Sequence, residues 1–417
     1  MVEDVGILAI EFYMPTQYVE QTDLEQYDGV SKGKYTIGLG QHRMGFCADC
    51  EDAISMAMTV VRRMLDKHNV DASQIGRLEV GTESGVDRSK SIKSYLMQLF
   101  GDNHDVLGLD TVQACFGGTQ ALFNAVDWLT SAAWDGRLAL VVASDVAAYP
   151  PGPARPTGGA GAVALLLGPN APLVIEPRLR SVYSAHCYDF YKPDPKSEYP
   201  LVDGSLSITS YINAALQCYQ GLTKKFEKLK NTKFSLKDSC GVLFHSPYTR
   251  LVEKTFAKLV ESDVRHKLAP ENVDQLVRKT PEFAASNGHV NGNGDSLDSS
   301  SPKTVQQPSK ELQAASKELF DSLTSPSLWL AREIGNMYTP SLYACLVSFL
   351  ASYQLNGHGN DRRLLLFSYG SGLASAMFSI QLKVSSPAFE QLCVSIFFII
   401  QQPDVFQGLR GIIRHWR

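Results

Sequence analysis

Apolar positions fall into two regimes along this chain. In the first they are nearly continuous: LALVVASDVA (Leu138–Ala147) and GGAGAVALLLG (Gly158–Gly168) read as strands buried on both faces, the second behind a glycine-rich entry. In the second they recur every three or four residues. That spacing predicts an amphipathic helix from about Cys50 to His68 and another just after Cys115, through Ala121, Leu122, Ala125, Val126 and Leu129. Short β-prone runs near Val5–Ile10, Leu78–Gly81 and Val106–Val112 supply further strands. Residues 1–170 therefore read as an α/β unit, a sheet flanked by helices.

A second unit, 171–382, begins less regularly. A tyrosine-rich stretch, SVYSAHCYDFYKPDPKSEYP, leads into a predicted helix around Ser207–Leu229. The strand CGVLF then delivers His245, and RLLLFSYGSG (Arg363–Gly372) closes on a glycine-rich turn. Apolar strands that deliver polar residues at their C-terminal ends in both units point to a duplicated half, although no sequence repeat is legible. Residues 284–316, rich in Ser, Asn, Gly and Pro, bury too little apolar surface to offset their ordering entropy and read as a mobile surface loop. Residues 383–417 form a tail with an apolar run, LCVSIFFII (Leu392–Ile400), and a basic end. That run is shorter than the ~20 residues a bilayer requires, so it reads as core or as a sticky tail.

Composition narrows the function classes. The chain has 417 residues, 44% of them hydrophobic and 20% charged, enough for a substantial core. Its 39 basic and 43 acidic residues give a net charge of −4, which leaves no general nucleic-acid footprint. Eight cysteines without regular spacing fit a reduced compartment, and the acidic start MVED does not resemble a secretory or transit signal. Both point to the cytoplasm. Cys47 and Cys50 form a C-x-x-C with neither a second pair nor paired histidines, so a metal site is not expected.

Four residues could carry chemistry. Cys115 sits at a strand–turn–helix junction with Gly117 and Gly118, where unpaired amides and the helix dipole favour a thiolate; a free cysteine can equally be a small buried hydrophobe. Glu83, in VGTESGVD, follows a strand among small residues and could serve as a desolvated base or be a solvated loop acid. His245 could act on substrate or only shape a turn before Pro247. Asn336, in GNMYTPSLYACL, could be a helix N-cap. Brought together, a thiolate, an imidazole, an amide and a carboxylate can attack a thioester, polarise a carbonyl and remove a proton beside it, which is carbon–carbon bond-forming chemistry.

The segments GKYTIGLGQHRMGF, GTESGVDRSKSIKS, QACFGGTQALFNAVDW, ASDVAAY, ARPTGGAGAVALLLG, YDFYKP, FHSPYTRLVEK, GNMYTPSLY and SYGSG resemble, in order, the 3-hydroxy-3-methylglutaryl-CoA (HMG-CoA) synthase family, most closely its eukaryotic, plant-like cytosolic form, over roughly residues 5 to 380. The resemblance implies a thiolase-like α/β fold, two related halves forming a layered αβαβα core, a homodimer, and no metal or other cofactor, the CoA thioesters being substrates. It implies that Cys115 takes an acetyl group from acetyl-CoA, Glu83 is the general acid/base, and His245 polarises the acetoacetyl-CoA carbonyl. Asn336 and Ser371 would hold that substrate, and Asp145 and Asp189 would order the site, although Asp145 could equally be a buried structural acid. Thr157, Ser207, Arg250 and Lys254 would line the CoA channel, and the four-residue spacing of Arg250 and Lys254 lets both face a phosphate.

The chain departs from the family at Pro153, where the family often has Asn, and after about Leu382, where the resemblance stops. The altered tail motivates an alternative: a shortened, unstable, non-catalytic isoform that binds CoA or pairs with a full-length subunit. A ketoacyl-ACP synthase III-like enzyme would share Cys115, His245 and Asn336, but decarboxylative condensation has no use for Glu83.

Overall fold

Residues 2–281, 283, 305–353 and 361–400 are described by the structure, a computed structural model. The frame is a nine-stranded sheet built from β1 (Gly6–Tyr13), β2 (Ile75–Gly81), β3 (Asp110–Thr111), β4 (Leu138–Ala147), β5 (Gly159–Gly168), β6 (Leu173–Ser184), β9 (Gly241–Phe244), β10 (Arg362–Gly370) and β11 (Ala374–Leu382). A small hairpin, β7 (Phe190–Tyr191) with β8 (Leu201–Val202), stands apart from it. The order β9-β10-β11-β6-β1-β5-β4-β2-β3 carries the duplication that the sequence hides. Outward from the antiparallel seam between β1 and β6, each half places its first strand, then its last and next-to-last antiparallel, then its second strand parallel. Thus β2 and β9 are equivalent positions, and β3 extends only the first half.

The apolar strands are buried on both faces, and alternation sorts their side chains. Ala139, Val141 and Ala143 of β4, with Leu364 and Leu366 of β10, pack into one shared layer; Leu140 and Val142 face a second core, and Leu365 and Phe367 a third. The shared layer holds α2 (Gly117–Leu129) and α6 (Ser341–Ser352), contributed by the two halves. Outside lie α1 (Ala53–Lys67) on the first half and α3 (Gly204–Lys230) with α4 (Thr249–Arg265) on the second. This is the expected αβαβα layering. Helix α1 starts at the Asp52–Ser55 capping box and buries Met56, Val60, Val61 and Met64 at helical spacing. Asp203 caps α3 by accepting from Leu206 N at 3.0 Å.

Two expectations need correction, and a third resolves between its alternatives. The strand near Val106–Val112 contracts to β3: among the described residues none pairs with its outer edge, and Leu107, Leu109 and Val112 point to solvent. Of the loop at 284–316, residues 284–304 lie outside the described residues, but 310–315 form α5 (Lys310–Ala315), capped by Ser309 and anchored by buried Leu312. The apolar run of the tail belongs to α7 (Pro387–Ile400), whose Phe389, Leu392, Cys393, Ile396 and Ile399 form one face packed into the shared core. Among the described residues no helix is long and apolar enough to cross a membrane.

Candidate active site

Two glycines bring the chemistry together. A Cβ on Gly81, the last residue of β2, would lie 2.3 Å from the backbone of Gly118 at the start of α2, so only glycine lets Glu83 reach the turn before that helix. A Cβ on Gly370 would meet Gln113 O at 2.3 Å, so the end of β10 abuts the same turn from the other half. Ala114 in that turn has φ +43°, a left-handed conformation unfavourable for a residue with a β-carbon and frequent where a nucleophile is presented. Cys115 follows, and its thiol donates to Glu83 Oε1 at 3.2 Å.

Asp145, fully buried at the end of β4, fixes the Glu83 turn. Its carboxylate accepts from Thr82 Oγ1 and Glu83 N, both at 2.8 Å, from Thr339 N at 3.0 Å, and from the Thr339 hydroxyl. It therefore ties the first half to the second, a structural task compatible with ordering the site. Asp189, also fully buried, accepts from Tyr369 OH at 2.6 Å and Gly372 N at 3.0 Å, which fixes the β10–β11 turn carrying Ser371. Asn336 is not an N-cap, because Pro340 occupies that position of α6. Its Oδ1 instead accepts from Tyr338 N at 2.8 Å and Ser341 Oγ at 3.0 Å, holding Tyr338 at φ +53°.

Cys115, His245, Asn336, Ser371, Thr157 and Ser207 all line one cavity of about 500 Å³, with Pro153 in its wall. Arg250 and Lys254 lie outside that cavity: Arg250 pairs with Glu253 and donates to Ile37 O at 3.0 Å, while Lys254 donates to Gln307 at 3.0 Å. These contacts use part of each cation's donor set. Sequence reasoning missed the aromatic wall of Tyr149, Phe190, Tyr211, Tyr338 and Tyr369, whose only signal was the density of tyrosines. It also missed Thr82, Thr339 and Lys192, which carry no local signal.

The electrostatics set the resting state. Burial first, then the charge of Asp145, pushes Glu83 up to about 8; Lys192 and the Cys115 thiol pull the other way. Burial and Glu83 push the Cys115 thiol well above its ordinary range. Burial first, with Glu83 and Asp145 beside it, opposes the thiolate that the helix dipole favours, so the site disfavours a resting thiolate. Burial alone lowers His245 to about 3, so its ring is neutral and can donate one N–H. Among the described residues no group of three or more His, Cys, Asp or Glu is arranged to hold a metal, and Cys47 and Cys50 are free thiols.

Equivalent strands of two related halves thus deliver Glu83 and His245, and Cys115 and Asn336 precede equivalent helices, an arrangement that defines a thiolase-like protein with acyl-transfer chemistry. Residues 1–172 match the family model for the hydroxymethylglutaryl-coenzyme A synthase N terminal, and 173–407 that for the C terminal. The chain belongs to the hydroxymethylglutaryl-CoA synthase family. The match continues past Leu382, where the sequence reading had ended it. The chain is 49% identical to the cytoplasmic hydroxymethylglutaryl-CoA synthase of Homo sapiens and 48% to that of Gallus gallus, in each case over 91% of this chain and 72% of the relative. It is 45% identical to the mitochondrial enzyme of Mus musculus, over 94% and 77%. Among solved structures, MvaS in complex with 3-hydroxy-3-methylglutaryl coenzyme A superimposes with a TM-score of 0.78 at 31% identity, covering 95% of this chain and 88% of that one.

Proposed function

We propose that this chain condenses acetyl-CoA with acetoacetyl-CoA to form HMG-CoA and CoA, the acyltransferase step of the mevalonate route to isoprenoids and sterols, in the cytoplasm and as a homodimer. The contact between Cys115 Sγ and Glu83 Oε1, at a cavity that Cys115 lines together with a neutral histidine, carries this reading. The ionised fraction of Glu83 takes the thiol proton as sulfur attacks the acetyl thioester, and returns it to the departing CoA thiolate. Glu83 then removes a methyl proton from acetyl-S-Cys115, and the resulting carbon nucleophile attacks the ketone of acetoacetyl-CoA. The His245 N–H stabilises the developing alkoxide, which then takes the proton held on Glu83, with Asn336 and Ser371 holding the acceptor. Water finally cleaves the enzyme thioester. Thr157 and Ser207 in the cavity wall, with Arg250 and Lys254 beyond it, take the CoA arm, while Asp145 and Asp189 order the site without touching substrate.

The Glu83 contact disfavours a ketoacyl-ACP synthase III-like reaction, and a complete cavity disfavours a non-catalytic isoform. Brief incubation with acetyl-CoA followed by mass spectrometry tests the proposal. A single acetyl adduct on Cys115 is expected, absent in Cys115→Ala and resolved to HMG-CoA when acetoacetyl-CoA is added. A folded chain that takes up no acetyl group would overturn it.

A further inference from the structure

The site contains a cation that the reaction outlined above does not use. Lys192 immediately follows β7, and its Nζ donates to the main-chain oxygen of Glu83 at 3.2 Å. The same nitrogen pairs with Glu198 at 3.2 Å, in the loop that joins the two strands of the hairpin, and lies 5.2 Å from the centroid of the Tyr338 ring. Phe190, two residues earlier, packs edge-on against that ring with centroids 5.8 Å apart. An ammonium group normally stays in bulk water at the end of a flexible stem. Here it is only 18% exposed and held from three sides.

We propose that Lys192 is a positioning residue for proton transfer at Cys115: it clasps the β7–β8 hairpin to the Glu83 turn and sets a fixed positive charge beside the Glu83–Cys115 pair. The proposal rests on the reading of those two residues as base and nucleophile. The groups facing Glu83 are Cys115 from the turn before α2, Asp145 from β4, Tyr149 after β4, Tyr338 before α6, and Lys192 and Glu198 from the hairpin. Asp145 and Glu198 disfavour a second negative charge there; Lys192 favours it. Both the first proton transfer, from thiol to carboxylate, and the second, from the acetyl methyl, need the ionised form of Glu83. The lysine therefore raises the competent fraction without touching substrate, and the Glu83 carbonyl contact keeps it at constant distance.

The two members of the Lys192–Glu198 pair should act with opposite sign, which a purely mechanical clasp cannot do. The test is the pH dependence of Cys115 acetylation in the full chain, by rapid quench and mass spectrometry. In the parent chain the acid limb is expected near pH 8. Lys192→Met should move that limb up by about one pH unit and lower the rate at pH 7 about tenfold. Lys192→Arg should keep the parent limb. Glu198→Gln should move it down, by less, because the Glu198 side chain is 59% exposed and screened. Equal-direction shifts in Lys192→Met and Glu198→Gln, or a limb that stays put while only the amplitude falls, would overturn the proposal. Failure of the parent chain to acetylate at any pH would overturn the underlying assignment of Cys115 and Glu83 along with it.

Discussion

Glu83 illustrates what a functional carboxyl group costs the fold that holds it. With a pKa near 8 in the folded chain and near the ordinary 4.5 in the unfolded chain, it takes up a proton on folding throughout the interval between them. Below pH 4.5 both states are protonated and there is no penalty. As pH rises toward 8 the unfolded state releases the proton first, so folding stability falls, and above 8 the whole cost is present. Glu83→Gln removes the ionisation and keeps an oxygen to accept from Cys115. It should raise the unfolding free energy at pH 8 by about 2 kcal/mol, once the water admitted by the cavity is allowed for, while abolishing acetylation. The gain should disappear at pH 4.5; a variant no more stable than the parent at pH 8 would refute this. The strand ends and turns that carry Cys115, Glu83 and His245 were legible in the sequence through flanking glycines and proline, whereas the roles of the three came from the family resemblance. The thiol's protonation was not legible, because it depends on burial and on Glu83 and Asp145, which are distant in the chain. Nor was Lys192, whose partners lie on other elements.

At the scale of elements, legibility followed the apolar pattern. Strands β4 and β5 and helix α2 announced themselves through long runs or clear helical spacing. Strand β6 did not, because Glu176, Pro177 and Arg178 interrupt it; the interruption is resolved in the fold, where Glu176 accepts from Arg363 Nε at 2.7 Å on β10. Strand β11, ASAMFSIQL, is small and mixed in character and gains its identity only between β10 and β6. Helix α7 was the hardest, since an apolar run in an unfamiliar tail fits either a core or an exposed patch. The structure gives it both characters: Ile396 is fully buried, whereas Phe398 on the other face is 63% exposed. Ile396→Ala should destabilise the chain by about 3 kcal/mol through the cavity it leaves, and Phe398→Ala by less than about 0.5 kcal/mol. Equal effects in urea unfolding would mean that α7 does not dock on the core as described.

At the scale of the molecule, the free edge of the sheet connects stability, assembly and catalysis. Strand β3 ends the first half, and beside it Leu107, Leu109 and Val112 are 58%, 70% and 71% exposed. An edge with unpaired backbone groups and flanking apolar side chains is a template for another strand, and a second copy of this chain, bringing the same edge, can pair antiparallel with it about a two-fold axis. The consequence for the site is direct. The backbone oxygen of Thr111 accepts from Thr82 N at 3.3 Å, one residue before Glu83, and Gln113 and Ala114 lead from this strand into Cys115. A partner that orders β3 therefore steadies both sides of the thiol–carboxyl pair, whereas a lone chain holds them by a two-residue strand. Leu109→Asp should convert the proposed homodimer to monomer in sedimentation equilibrium and slow Cys115 acetylation at least tenfold, although residue 109 lines no part of the cavity. A parent chain that sediments as a monomer, or a Leu109→Asp dimer, would refute pairing at this edge; a fully active monomer would show that the turn before Cys115 is held by Gly81 and Gly370 alone.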